Sequence, residues 1–192
     1  MVSDQKTESG KMKNLLYIFI FGSLVTTSSC TPVKPSTNRG LPKEYNLAYE
    51  EIYGHCYDSI PYAVVALDLY SEGLELDKNH HIKGTGYNLY LSDIFVPDSL
   101  LEEGEYKSLF SNDTLPILPF TFLPGMDFEG YPHGMYILDI EDDRVLHIQL
   151  VDSGSFVYRN DSLLFTLYFL NAYGSRATYN CHFTGSLIPW QK

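Results

Sequence analysis

The stretch Met135 to Leu150, MYILDIEDDRVLHIQL, constrains the fold more than any other part of the chain. Two apolar runs flank an acidic turn, Glu141-Asp142-Asp143-Arg144. In the second run Leu146, Ile148 and Leu150 alternate with His147 and Gln149. That period of two belongs to a strand with one face buried, and the pair reads as a hairpin. Leu146, Ile148 and Leu150 are the expected inward face. A second hairpin joins Leu163–Leu170 to Arg176–Leu187 across the turn Asn171 to Ser175, with Tyr179, Cys181 and Phe183 alternating with Asn180, His182 and Thr184.

Strand signals continue elsewhere. Tyr62 to Tyr70, YAVVALDLY, is rich in β-branched and aromatic residues, and Tyr87, Leu89 and Leu91 share one face. Gly104-Glu105-Tyr106 reads as a turn into another strand. Ser71 to Gly84 reads as a polar loop carrying Gly73, His80 and His81. Leu115 to Phe128 holds Pro116, Pro119 and Pro124, which suits a packed loop or an edge strand. Asn46 to Tyr57 fits a short strand or a helical turn. No long segment keeps a 3.6-residue period. The expected fold is all-β, a single antiparallel β-sandwich domain spanning 45–192, with a lipocalin-like β-barrel as the alternative. The uneven strand lengths favour the sandwich.

Ahead of this domain lies MKNLLYIFIFGSLVTTSSC, Met12 to Cys30. The apolar run Leu15 to Val25 is too short for a spanning helix, which needs roughly 20 apolar residues. It fits the core of a secretory signal, preceded by Lys11 and Lys13 and followed by small residues. Asp4 and Glu8 dilute the positive region, so Met12 is read as the true start. Thr27-Ser28-Ser29-Cys30 resembles the lipobox of bacterial lipoproteins, with Thr27 where Leu is usual. This loosened form is similar to lipoproteins of Gram-negative gut anaerobes. The resemblance implies a signal peptide over 1–29, lipid attachment at Cys30 and a flexible tether over 30–44. The lipid bilayer is then a partner through acylated Cys30. In the resembling lipoproteins surface export follows an acidic stretch after the cysteine. Thr31-Pro32-Val33-Lys34 lacks one, which implies the periplasmic face of the outer membrane.

Removing residues 1–29 takes away Lys6, Lys11, Lys13, Asp4 and Glu8. From 13 basic and 24 acidic residues the mature chain keeps 10 and 22, a net charge of 10 − 22 = −12. Such a chain repels phosphate backbones, so a nucleic-acid partner is excluded. Export also permits disulfides, and Cys56 and Cys181 are the candidate pair. The expectation is that the first and last strands of a β-domain lie side by side.

The order of pieces also resembles a group of exported lipoproteins from the same bacteria. The shared features are Tyr53-Gly54, the strand Gly84 to Leu91, the turn Gly104-Glu105-Tyr106 and the closing FTGSL of Phe183 to Leu187. The resemblance implies an exported β-domain and assigns no chemistry. Asp58-Ser59-Ile60, Asp98-Ser99-Leu100, Asp113-Thr114-Leu115 and Asp161-Ser162-Leu163 are similar to the O-glycosylation signal of those bacteria. Ser59, Ser99, Thr114 and Ser162 are therefore candidate acceptors, although Asp-Ser is also common in turns.

Motifs for catalysis are sparse. The sequence holds no Gly-x-Ser-x-Gly elbow, and Ser153-Gly154-Ser155 reads as a turn. His55 and Cys56 are adjacent, so in a strand they point to opposite faces. His80-His81 near Asp77, His133, and the run Asp139, Glu141, Asp142, Asp143 lack the spacing of zinc or calcium sites. No carboxylate pair stands out for glycoside hydrolysis. Tyr87, Tyr90, Tyr131, Tyr136, Tyr168, Tyr173 and Trp190 could stack on sugars, or could simply fill a half-buried pleat. The reading is a membrane-anchored, non-catalytic binding or structural module with no cofactor and no metal, its partner a glycan or a protein. The alternatives are a carbohydrate-binding or small-ligand-binding β-domain and a hydrolase with a site assembled from scattered residues.

Overall fold

The structure, a computed structural model, describes residues 40–57, 60–109, 117–170 and 175–190. The signal, Met12, Cys30, Ser59, Thr114 and Tyr173 lie outside them. The described chain is all-β. It builds a large, curled, mostly antiparallel sheet.

The strands in chain order are β1 (Glu44–Tyr45), β2 (Leu47–Gly54), β3 (Ala63–Tyr70), β4 (Leu74–Leu76), β5 (Ile82–Gly84), β6 (Gly86–Val96), β7 (Gly104–Ser108) and β8 (Thr121–Phe122). They continue with β9 (Met126–Phe128), β10 (Tyr131–His133), β11 (Met135–Glu141), β12 (Arg144–Leu150), β13 (Ser153–Arg159), β14 (Ser162–Leu170), β15 (Arg176–Thr184) and β16 (Ile188–Pro189). Two-residue loops close three hairpins: Asp142-Asp143, Asn160-Asp161 and Glu129-Gly130, all with positive φ at both positions. Such turns match the twist of the flanking strands, and Asn, Asp and Gly are the residues that tolerate them best. The sequence places Asp, Asn or Gly at five of these six positions.

The longest strand, β6, organises the sheet. One edge pairs with β3. The other edge is shared, with Gly86–Leu91 against β11 and Ile94–Phe95 against β8. The fork falls at Ser92-Asp93, where Asp93 has φ 53. Register shows an extra residue there, since Val65 pairs with Ile94 but Leu67 with Leu91. The bulge flips the inward parity, so Leu89 and Leu91 point to the core before it and Ile94 and Val96 after it. From β8 the sheet runs through β7, β13, β14 and β15 to β1. Only Asn46 separates β1 from β2, and β2 pairs with β3. The sheet thus returns to its own start, and the sandwich and barrel expectations each describe part of it. The first strand meets the next-to-last, Glu44 opposite His182 and Tyr45 opposite Phe183, while the last strand, β16, adds to β2.

The interior is filled from both limbs. One cross-strand row runs Tyr106–Phe156–Phe165–Cys181 over β7, β13, β14 and β15. The Tyr106 and Phe156 rings stack at 4.5 Å and 5°. Tyr179, Cys181 and Phe183 face inward as their alternation predicts, as do Tyr87, Leu89 and Leu91. A smaller apolar cluster of Tyr70, Leu74 and Ile140, flanked by Leu47, Leu76 and Ile82, lies under the β4–β5 hairpin.

Four sequence expectations are corrected. Ser71 to Gly84 is not a loop throughout but carries that hairpin. Ser153-Gly154-Ser155 opens β13 and is strand, paired with Tyr168, Leu167 and Thr166. In the β11–β12 hairpin, Leu146 and Ile148 are exposed at 47% and 42% rather than inward. The register slips by one residue at Leu146, between the pairs Asp139–His147 and Ile140–Val145, and beyond it Ile148 lies opposite Leu138 and Leu150 opposite Tyr136, on the face away from the core. Among the described strands β12 pairs only with β11, so it is an edge strand, exposed from Arg144 to Ile148. Finally, Cys56 and Cys181 form no disulfide. Although β1 lies beside β15, Cys56 is exposed beyond the far end of β2, where its thiol donates to the Tyr53 carbonyl at 3.1 Å. Cys181 is buried in β15, where desolvation pushes its thiol up to about 12. Maleimide labelling of the native protein is therefore expected to modify Cys56 and to spare Cys181 until unfolding. Peptide mass spectrometry locates the label, and equal native labelling at both positions would contradict the fold.

Candidate functional site

The outer face of the β2–β3–β6–β11 limb carries a second cross-strand row. Tyr49 lies opposite Asp68, Asp68 opposite Tyr90, and Tyr90 opposite Tyr136. Directly opposed residues in antiparallel strands share a face, so one carboxylate sits among three phenol rings. The Tyr90 and Tyr136 rings lie 5.2 Å apart. Trp190, just past β16, is anchored by its backbone N–H, which donates to the Glu50 carbonyl at 2.8 Å, and its ring meets Tyr49 edge-on at 5.3 Å. His80, at the end of the β4–β5 hairpin, packs on Trp190 at 4.7 Å. Tyr49, Glu51, Ala66, Asp68, Tyr90 and Trp190 line a cleft of about 40 Å³. That is room for about three waters or one small functional group, and not for a sugar ring.

Bulges and hydrogen bonds set the polar groups. Ile52 pairs with Val65 and Gly54 with Val64, so Tyr53 is the extra residue of a bulge in β2. Bulges re-aim side chains. The Tyr53 hydroxyl donates to Glu51 Oε2 at 2.7 Å. With its proton committed there, the Tyr53 oxygen accepts from the Tyr90 hydroxyl at 3.4 Å, a long and weak bond. Asp68 accepts from the Tyr70 hydroxyl at Oδ2 and from Asn88 Nδ2 at Oδ1. Asn88 Nδ2 also donates to the Leu69 carbonyl at 3.0 Å.

Desolvation dominates the electrostatics. It raises the Asp68 carboxyl to about 6, against the two hydrogen bonds that favour the anion, and the nearby Glu51 charge raises it further. Burial also raises the Tyr53, Tyr70, Tyr90 and Tyr136 phenols, with neighbouring carboxylates adding to it. These phenols therefore remain neutral donors across the physiological range. The face presents fixed O–H donors, apolar ring surface and two carboxylates.

Of the sequence-predicted stacking residues, Tyr90, Tyr136 and Trp190 come together here. Tyr87 points into the core, Tyr131 is 71% exposed on β10, and Tyr168 lies under the Arg176 guanidinium at 4.8 Å. Glu51, Tyr49, Asp68, Tyr70 and Asn88 were not singled out from the sequence, and Tyr53 entered only through the Tyr53-Gly54 resemblance. The signal for Asp68 and Tyr70 was present, because Leu67 and Leu69 are inward and their neighbours must face away. The acidic turn does other work. Asp143 accepts the Gly84 N–H at 2.6 Å and pairs with Lys83 at 3.2 Å, which together lower its carboxyl, and so ties the hairpin to β5. Among the candidate glycosylation positions, Ser99 is exposed in the bend after β6 and Ser162 is half-buried at the start of β14. A wider groove of about 530 Å³ runs past Lys43, Glu44, Glu72 and Thr85, but it gathers no aromatic surface beyond the edge of Tyr87.

No protein-family model matches the chain, and no curated protein or solved structure matches it. The functional reading rests on the geometry of this face.

Proposed function

We propose that the chain is a lipid-anchored envelope protein, tethered through Cys30, whose β-domain binds glycans on the aromatic face without cleaving them. The observation that carries this reading is the row Tyr49–Asp68–Tyr90–Tyr136, closed by Trp190. Pyranose rings have apolar C–H faces that stack on aromatic rings and hydroxyls that donate to carboxylates. Both partners are present on one half-exposed surface, and the strands that hold them are rigid. The tether would let that surface stand off the membrane.

A second reading, a glycoside hydrolase, draws on the raised Asp68 carboxyl and its neighbour Glu51, since one carboxylic acid and one carboxylate perform that reaction. The hydrogen bonds argue for binding instead. Both Asp68 oxygens accept from protein donors, which holds Asp68 as a fixed acceptor rather than as an acid aimed outward.

A broad glycan array tests the proposal. The expected result is binding to a restricted set of glycans that falls at least about tenfold in Trp190→Ala, with the bound glycans recovered intact by chromatography. Absence of binding across the array would overturn the glycan reading, and release of shorter products would replace it with hydrolysis.

A further inference from the structure

We propose that the bound glycan is an extended, β-linked chain that lies across the strands and is recognised over at least three consecutive sugars. This rests on the glycan reading above and narrows its ligand class. The aromatic row sets the direction. Tyr49, Asp68, Tyr90 and Tyr136 are register partners on β2, β3, β6 and β11, so they follow one another at right angles to the strands. Neighbouring strands lie about 4.8 Å apart, which makes the row from Tyr49 to Tyr136 about 14 Å long. Trp190 adds one more ring beyond Tyr49, the two centroids 5.3 Å apart. A pyranose in an extended chain advances by about 5 Å, close to one strand spacing. The strip therefore matches three or four sugars laid end to end.

Along the strands the same surface is narrow. On one side the neighbouring row is Leu47–Tyr70–Asn88–Leu138. Tyr70 and Asn88 are buried there, and Leu47 and Leu138 pack into the cluster under the β4–β5 hairpin. On the other side Glu51 lies opposite Ala66, which is buried and offers no ring. A chain running along the strands would therefore stack at one sugar only. A chain running across them meets Trp190 and Tyr49 at one end and the Tyr90–Tyr136 pair at the other. Between these ends lies Asp68, held by Tyr70 and Asn88, beside the cleft of about 40 Å³. That cleft takes one exocyclic group of the central sugar while the ring stays outside. An extended β-linked chain keeps its apolar faces along one line and can follow such a row. An α-1,4-linked chain curls, which lifts successive rings away from it.

The experiment is titration calorimetry of the full chain with β-1,4-linked oligomers of glucose, N-acetylglucosamine, xylose and mannose, from the disaccharide to the hexasaccharide. The α-1,4-linked glucose series is run beside them. In at least one β-linked series, affinity is expected to rise at least about tenfold from the disaccharide to the tetrasaccharide and to stay level beyond it. Tyr136→Ala should weaken the tetrasaccharide several-fold more than the disaccharide, because only the longer chain spans from Trp190 to β11. Tyr131→Ala is the control. That ring is 71% exposed on β10, outside the row, and its loss should leave the length profile unchanged. If Tyr136→Ala does not fold, the length profile of the unaltered chain decides alone. Full affinity already at the disaccharide, or tighter binding of the α-linked series, would overturn the inference and leave the glycan reading standing. So would an equal loss for both lengths in Tyr136→Ala, or binding on the array by none of these β-linked chains. Failure of every glycan, on the array and here, would remove both.

Discussion

Phe156→Ala is expected to lower the unfolding free energy by about 3–5 kcal/mol, the usual range for deleting a core aromatic ring. Phe156 has no solvent exposure. It sits at the centre of the inner row, stacked on Tyr106 at 4.5 Å and packed against Phe122 at 5.5 Å and Phe165 at 5.4 Å. Those neighbours come from β7, β8 and β14, so the cavity left behind is framed by three strands of one rigid sheet and cannot collapse easily. Each ring contact also adds about 0.5–1.5 kcal/mol beyond burial. Phe156→Leu keeps most of the volume and is expected to lose much less, about 1–1.5 kcal/mol. Denaturant unfolding followed by Tyr and Trp fluorescence measures both. Similar small losses in the two variants would mean that the inner row is loosely packed.

Gly134→Ala is the second large effect, an expected loss of about 3 kcal/mol or more, or about 10 °C in Tm. Gly134 has φ +72, and a Cβ built there would lie 1.9 Å from the Pro124 carbonyl oxygen and 2.7 Å from its carbon. These are backbone atoms, and they cannot swing away as a side chain would. Gly134 also binds the fork of the sheet. Its N–H donates to Ser92 Oγ at 3.0 Å and its carbonyl accepts the Ser92 N–H at 3.0 Å. Gly130→Ala is the control. Its φ of +86 is equally unusual, but nothing lies within 4 Å of the new Cβ. It should lose about 1 kcal/mol from backbone conformation alone. The difference between the two variants isolates the close approach of backbone at the fork, and equal losses would show that φ accounts for everything.

What the sequence revealed and what it hid divide along physical lines. Alternation is local, so the inward faces of Tyr87–Leu91 and Tyr179–Phe183 were legible, as were the turn residues Asp142-Asp143. Bulges were not. Asp93 and Tyr53 each add one residue to a strand, and nothing in a short window tells an added residue from the next step of the alternation. The site depends on these hidden features twice over. Tyr53 reaches Glu51 and Tyr90 from a bulge, and the row Tyr49–Asp68–Tyr90–Tyr136 is defined by register between strands far apart in the chain. Trp190 joins only because β16 adds to β2, with Ile188 opposite Tyr49. The exposed Leu146 and Ile148 mark the converse limit, because a correct period does not say whether anything will cover the face it creates.

The seam at Asn46 also has a kinetic side. Glu44 must find His182, a separation of 182 − 44 = 138 residues, and β2 must find both β3 and the terminal β16. Chain closure over such distances is slow, and a topology dominated by it folds late and as a unit. An N-terminal fragment ending before β13 would leave Tyr106 without the Phe156 ring and β1 without its partner. A chain emerging from its N-terminus, whether from a ribosome or through a membrane, therefore stays open until nearly its last residue has appeared, and its exposed strands need protection until that moment.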